Sequence, residues 1–144
     1  MRVLIDEDSA IQLLAPLEHL LRAHEIHQMT QTRWRGKKDL PLLRDAGRAG
    51  YEVFITNGHG QPDDPDECRA IKRSGLHQVR YEQRRRGMHG LALALGAVIA
   101  AMPMVMDELE QAAGQRLVHI TRLNPDRRFE VTDPARTAPR YWPR

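Results

Sequence analysis

Met1-Arg2-Val3-Leu4-Ile5-Asp6-Glu7-Asp8 is the stretch on which the fold turns. Val3, Leu4 and Ile5 run together and stop abruptly at an acid. A strand that is apolar at successive positions is covered on both faces, whereas a half-solvated strand alternates. Such strands belong to parallel sheets with helices packed on either side. Residues 9–23 then place Ile11, Leu14, Leu17 and Leu21 at helical spacing, with Leu13 and Leu20 widening the stripe. A weak second strand is expected over residues 26–29. After a basic loop, Asp39 opens a second helix carrying Leu40, Leu42, Leu43, Ala46 and Ala49, which Gly50 ends.

Residues 51–56, Tyr-Glu-Val-Phe-Ile-Thr, give the clearest strand of the chain. The next helix announces itself in Asp64-Pro65-Asp66-Glu67: an acid to cap it, a proline at the first helical position, and a glutamate three residues after the cap. A fourth strand is expected over residues 77–82, a long helical region over 88–113, and a fifth strand over 117–121. This alternation predicts an α/β three-layer sandwich with a mostly parallel central sheet. The domain is expected over residues 1–122, with 123–144 forming an extension of the last strand and a loose tail rich in proline and arginine.

The 144 residues amount to one domain. A hydrophobic fraction of 41%, a charged fraction of 28% and a net charge of +3 exclude a collagen-like or wholly disordered chain. Cys68 is the single cysteine, so no internal disulfide framework exists. Acids at Asp6, Glu7 and Asp8 come too early for a signal peptide, which makes the expected location cytoplasmic.

From Leu91 to Met106 the chain carries no charged residue. A membrane span needs about 20 apolar residues, and Pro103 interrupts this run. Small residues at Gly90, Ala92, Gly96, Ala97, Ala100 and Ala101 would permit close helix packing. The expectation is a core helix that also offers a self-association surface, hence a homodimer, and no membrane insertion.

Candidate chemistry begins with Asp6, Glu7 and Asp8. Successive acids after an apolar strand raise one another's pKa, and a hard divalent cation would relieve that repulsion. The plain alternative is that Asp8 or Ser9 caps the following helix. Asp39 is the second candidate, although an acid before Leu40-Pro41-Leu42-Leu43 is a natural N-cap. Asp63 is left over once Asp64 and Glu67 are assigned to capping. Arg33, Arg35, Lys37 and Lys38, with Trp34 among them to stack on a base, form one basic cluster, and Arg84-Arg85-Arg86 a second. The seven histidines show no zinc spacing; His59, in the glycine turn, is the one positioned for acid/base work.

Taken in order, Val3-Leu4-Ile5-Asp6-Glu7-Asp8, Trp34-Arg35-Gly36 with Asp39, the residue 51–56 strand, Pro65-x-Glu67 and Ser74-Gly75-Leu76 resemble the PIN-like domains of VapC-type toxins. The resemblance spans roughly residues 1–120. It implies an endoribonuclease of a toxin–antitoxin pair that uses Mg²⁺ or Mn²⁺, with RNA as substrate and a cognate antitoxin as partner. Asp6 would match the first metal-binding acid and Asp39 an acid on the second helix, the two being the catalytic pair. Glu7 and Asp8 would flank the first acid, and the arginines and lysines would hold the RNA backbone. One departure stands out. After the third strand the family has Thr-x-Asp, and this chain has Thr56-Asn57-Gly58. Asn57 or Asp63 would have to substitute as a ligand.

That glycine opens a second reading, a catalytically impaired PIN-like module that mainly binds its antitoxin. A third reading, a phosphorylation receiver, needs an aspartate at the end of strand three, where the chain offers Asn57-Gly58.

Overall fold

Leu4 and its neighbours in the first strand divide the interior in two. In the computed structural model, which describes residues 1–58, 62–123 and 129–143, β1 (Arg2–Ile5) sends Val3 and Ile5 to one face and Leu4 to the other. All three are fully buried, each contributing about 1.5–3 kcal/mol relative to exposure. The first face is covered by α1 (Leu14–Leu20) and α4 (Gly87–Gln111), which bring Leu14, Leu17, Val98, Met102 and Val105. The second is covered by α2 (Asp39–Arg48) and α3 (Pro65–Ser74), with Leu42, Leu43, Ala46 and Ile71. Two helical layers therefore sandwich one sheet.

That sheet has six strands in the order β2-β1-β3-β4-β5-β6. Here β2 is Glu25–Gln28, β3 Val53–Asn57, β4 His77–Tyr81, β5 Leu117–Ile120 and β6 Phe129–Thr132. β1 to β5 are parallel, and β6 is an antiparallel edge. The chain first steps outward from β1 to β2, then returns past β1 to β3 and continues the other way. β1 and β3 are thus the neighbours at which the winding reverses, and in open parallel sheets ligands bind outside the carboxyl ends of that pair.

The helix boundaries follow their local chemistry. Asp64 caps α3 by accepting the Glu67 N–H at 2.8 Å, Pro65 stands in its first turn, and Gly75 ends it in the left-handed region at φ 71°. The first predicted helix is shorter than its hydrophobic stripe, because Ile11–Leu13 form a 3₁₀ turn before α1. α4 runs unbroken through Pro103. By length and composition it is apolar enough to cross a membrane, yet its buried side chains belong to the core against the sheet.

Two expectations about the C-terminus need correction. β6 is a strand of its own in the same sheet, and residues 133–143 are docked instead of loose. Trp142 packs against the second core, Pro134 and Pro139 are buried, Lys72 bonds the Pro143 carbonyl, and Arg116 pairs with Asp133 at 3.4 Å. A segment without periodicity can still be anchored by one aromatic and a few polar ties.

Candidate active site at the carboxyl ends of β1 and β3

Asp6 begins where β1 stops. Its backbone N–H still donates to the Ile55 carbonyl at 2.8 Å, which holds it level with the end of β3. One residue further along β3, the Thr56 hydroxyl donates to Asp6 Oδ2 at 2.8 Å. Asp6 is 4% exposed. Burial raises its carboxyl above the ordinary value, the Thr56 hydrogen bond opposes that, and the charges of Asp39 and Asp8 push it further up.

Asp39 does not cap its helix. Lys38 occupies the N-cap position without a side-chain cap bond, and Asp39 is the first residue of α2. As an acid in the first turn it still complements the positive end of the helix dipole. The residue sits at the open end of the helix and is more accessible than Asp6. Partial burial still raises its carboxyl, as does Asp8; Arg80 opposes the shift, and Glu7 adds a smaller upward push. The charges of Asp39 and Asp8 thus reach Asp6, and that of Asp8 reaches Asp39, from the end of β1 and the start of α2.

The remaining candidates separate. Glu7 accepts the Gly36 N–H at 2.9 Å, where Gly36 turns at φ 74°, so its carboxylate ties the basic loop to the end of β1. Asp63 lies near the start of α3; its charge is felt at Cys68, and it is not among the charges acting on Asp6 or Asp39. His59 lies outside the described residues.

Both basic clusters flank the carboxyl edge of the sheet, since one follows β2 and the other β4. Arg33, Arg35 and Lys38 are exposed, whereas Lys37 is paired with Asp45. Trp34 corrects an expectation: it is 7% exposed and packs edge-on to Tyr51 within the second core. Its ring supports the loop from beneath and is not presented for stacking on a base. Arg84, Arg85 and Arg86 are exposed, with Arg84 3.6 Å from Glu82. Their segment folds back on α4 so closely that a Cβ on Gly90 would stand 1.7 Å from the Arg85 carbonyl oxygen.

Sequence reasoning missed Arg80. It is nine-tenths buried on β4, its Nη2 pairs with Glu67 Oε1 on α3, and its charge reaches Asp39. A Cβ built on Gly58 would lie 3.3 Å from Arg80 Nη1. Arg80, Gln78 and His119 line a cavity of about 30 Å³, and Arg80 Nε, Gln78 Oε1 and His119 Nε2 are buried without hydrogen-bond partners among the described residues. The one signal in the sequence is position: polar residues 78 and 80 share one face of β4, a strand otherwise covered on both sides.

Among the described residues no three Asp, Glu, His or Cys side chains converge closely enough to cage a metal ion. The groups near Asp6 are the Thr56 hydroxyl and the carboxylates whose charges reach it, Asp39 and Asp8; oxygen donors suit a hard cation. Mg²⁺ commonly takes one or two carboxylates, keeps several waters and borrows oxygens from a substrate phosphate. Asp39 is within electrostatic reach of Asp6, and among the described residues no closed cage of protein ligands exists.

Comparisons of the chain with protein-family models, curated proteins and solved structures find no match.

Proposed function

We propose that the protein is a PIN-like, Mg²⁺- or Mn²⁺-dependent endoribonuclease, the toxin of a toxin–antitoxin pair. The observation that carries this reading is a buried carboxylate, Asp6, within electrostatic reach of Asp39 at the reversal point of a parallel sheet and bracketed by two exposed basic segments. Bound there, the cation would polarise a phosphoryl oxygen and lower the pKa of its water. Asp6 and Asp39 are the residues that would hold it. The Thr56 hydroxyl and the Glu7 backbone both hydrogen-bond the Asp6 carboxylate and would hold it in place. Arg33, Arg35, Lys38 and Arg84 to Arg86 would take the RNA backbone on either side.

The exposed stripe of α4 completes the reading. Leu93 and Met104 stand out from the surface about three turns apart on one side of the helix. In this account a second copy covers them, and the cognate antitoxin regulates the assembled toxin.

A second reading, the impaired module that chiefly binds an antitoxin, is favoured by Gly58, which stands where the resemblance implies an aspartate. Incubating structured RNA with the protein in Mn²⁺, in EDTA, and with Asp6→Asn separates the two. The nuclease reading requires internal cleavage that EDTA and the substitution abolish. Intact RNA under all three conditions sinks it and leaves the binding module.

A further inference from the structure

The exposed side of α4 is apolar in its middle and charged toward its two ends. His89, Ala92, Gly96, Ala100, Pro103 and Asp107 follow one another at the three- and four-residue spacing of a single helix face, and each is exposed or half-buried. Leu93 and Met104 flank them at 51% and 55% exposure. Between Ala92 and Met104 the face carries no charge. That stretch runs for about 18 Å, short of the roughly 30 Å of a bilayer core, and its opposite side is packed on the sheet.

Beside this face, Leu93, Ala97, Ile120 and Leu123 line a groove of about 380 Å³ whose rim carries Arg84, Arg85 and Arg122. The first two arginines lie along the edge of α4 where Gly90 meets the Arg85 carbonyl. Glu108 lies on that same edge, about five turns further along the helix. Asp107 and Glu108 are both exposed, whereas Glu110 is engaged by His24 at 3.6 Å.

These features are symmetric about Gly96. Met88 and Met104 stand equally far from it, as do Ala92 and Ala100, and as do Arg85 and Asp107. Laying the helix antiparallel on its own copy, with Gly96 at the crossing, therefore brings each of these pairs together. A parallel arrangement would set arginines against arginines and acids against acids. Exposed ion pairs add little affinity, so the apolar middle supplies the attachment and the charged ends choose the direction.

We propose that two copies pair antiparallel through α4 about a twofold axis at Gly96, so that the Arg84–Arg85 edge of each meets Asp107 and Glu108 of the other. This rests on the reading that a second copy covers α4, and adds the direction and register of the contact. Because α4 sets out from the carboxyl end of β4, the two candidate sites face opposite ends of the dimer. Arg84, Arg85, Arg86 and Arg122 outnumber the two acids, so cations remain on that flank for the RNA backbone.

Two experiments on the full chain test it. Cys68 is fully buried, which leaves an introduced surface cysteine as the reactive thiol. Ala92→Cys and Ala100→Cys are oxidised separately and then as an equilibrated mixture. In the proposed register two copies of residue 92 stand about 12 Å apart along the axis, beyond disulfide reach, whereas residue 92 meets residue 100. The mixture should therefore cross-link about fivefold more than either variant alone. Separately, Asp107→Arg with Glu108→Arg should weaken dimerisation by about fivefold at low salt. Adding Arg84→Glu and Arg85→Glu should return it to within about twofold of the wild type. Equal cross-linking of the single variants shows a parallel pair and overturns the proposal, as does a charge exchange that restores nothing. A dimer that fails both tests loses this direction and register alone. A monomeric wild type overturns the covering reading itself, and one that sediments with phosphatidylcholine vesicles assigns the face to a lipid surface instead.

Discussion

The Thr56 hydroxyl donates to Asp6 Oδ2 at 2.8 Å, joining the carboxyl ends of two adjacent parallel strands across 50 residues of sequence. The bond fixes the one acid of the site that water scarcely reaches. Removing the donor with Thr56→Val should cost about 1.5–3 kcal/mol, the range for a hydrogen bond to a charged group. Thr56→Ser should restore most of it. Chemical denaturation at pH 7 measures both. In an Asp6→Asn background the valine should cost clearly less, because the acceptor is no longer charged; equal costs in the two backgrounds would show that the bond does not act on the carboxylate.

Asp6 and Asp39 both have carboxyls raised above their ordinary values, by burial first and neighbouring charge second. The folded state then holds protons more tightly than the unfolded chain, so stability falls as pH rises from the ordinary carboxylate value through the raised ones. Asp6→Asn should accordingly raise the melting temperature of the metal-free protein at pH 7. The advantage should shrink as the pH is lowered through the raised carboxyl value to the ordinary one, as the wild-type carboxyl takes up its proton. A variant less stable than the wild type at pH 7, or an advantage that grows on acidification, contradicts the assignment.

Trp34 and its basic neighbours should part company on mutation. Trp34→Ala removes a buried aromatic and should destabilise the protein by about 3–5 kcal/mol. Arg35→Ala and Lys38→Ala touch no core and should leave the melting temperature within a degree or two. They should weaken RNA binding and flatten its salt dependence, by roughly 0.7 in log–log slope for each single-strand phosphate that is no longer neutralised. Fluorescence anisotropy across a salt series checks this, and an unchanged slope removes these residues from the RNA surface.

The fold was legible wherever one face of an element decides its fate. Val3-Leu4-Ile5 and Val53-Phe54-Ile55 announce doubly covered strands, and Asp64-Pro65-x-Glu67 announces its own helix start. The place of Asp6 at the carboxyl end of β1 was legible because the apolar run stops abruptly at it. Strand order was not, since it depends on which way each crossover turns, and the reversal at β1 and β3 appears only in the assembled sheet. Trp34 misled because an aromatic between basic residues looks like a stacking platform, while the loop bends under it and buries the ring. Arg80 was invisible for the converse reason: its meaning lies in Gly58 and Glu67, which reach it from another strand and a helix.

The stripe of α4 makes a separate claim. Leu93→Glu and Met104→Glu place charges on exposed apolar positions, and neither should unfold the monomer. Light scattering after gel filtration should find the wild type dimeric and both variants monomeric at micromolar concentration. A monomeric wild type rules out self-association through this face.

The most direct test of the cation site is Mn²⁺ titrated into the metal-free wild type, Asp6→Asn and Asp39→Asn at pH 7, read by calorimetry with melting temperature as a second signal. The account predicts that the wild type takes up the ion with a dissociation constant between micromolar and millimolar and melts higher as ligand linkage requires. Both variants should lose the heat and the shift together. Binding of equal strength in all three proteins, or none in the wild type, would contradict it.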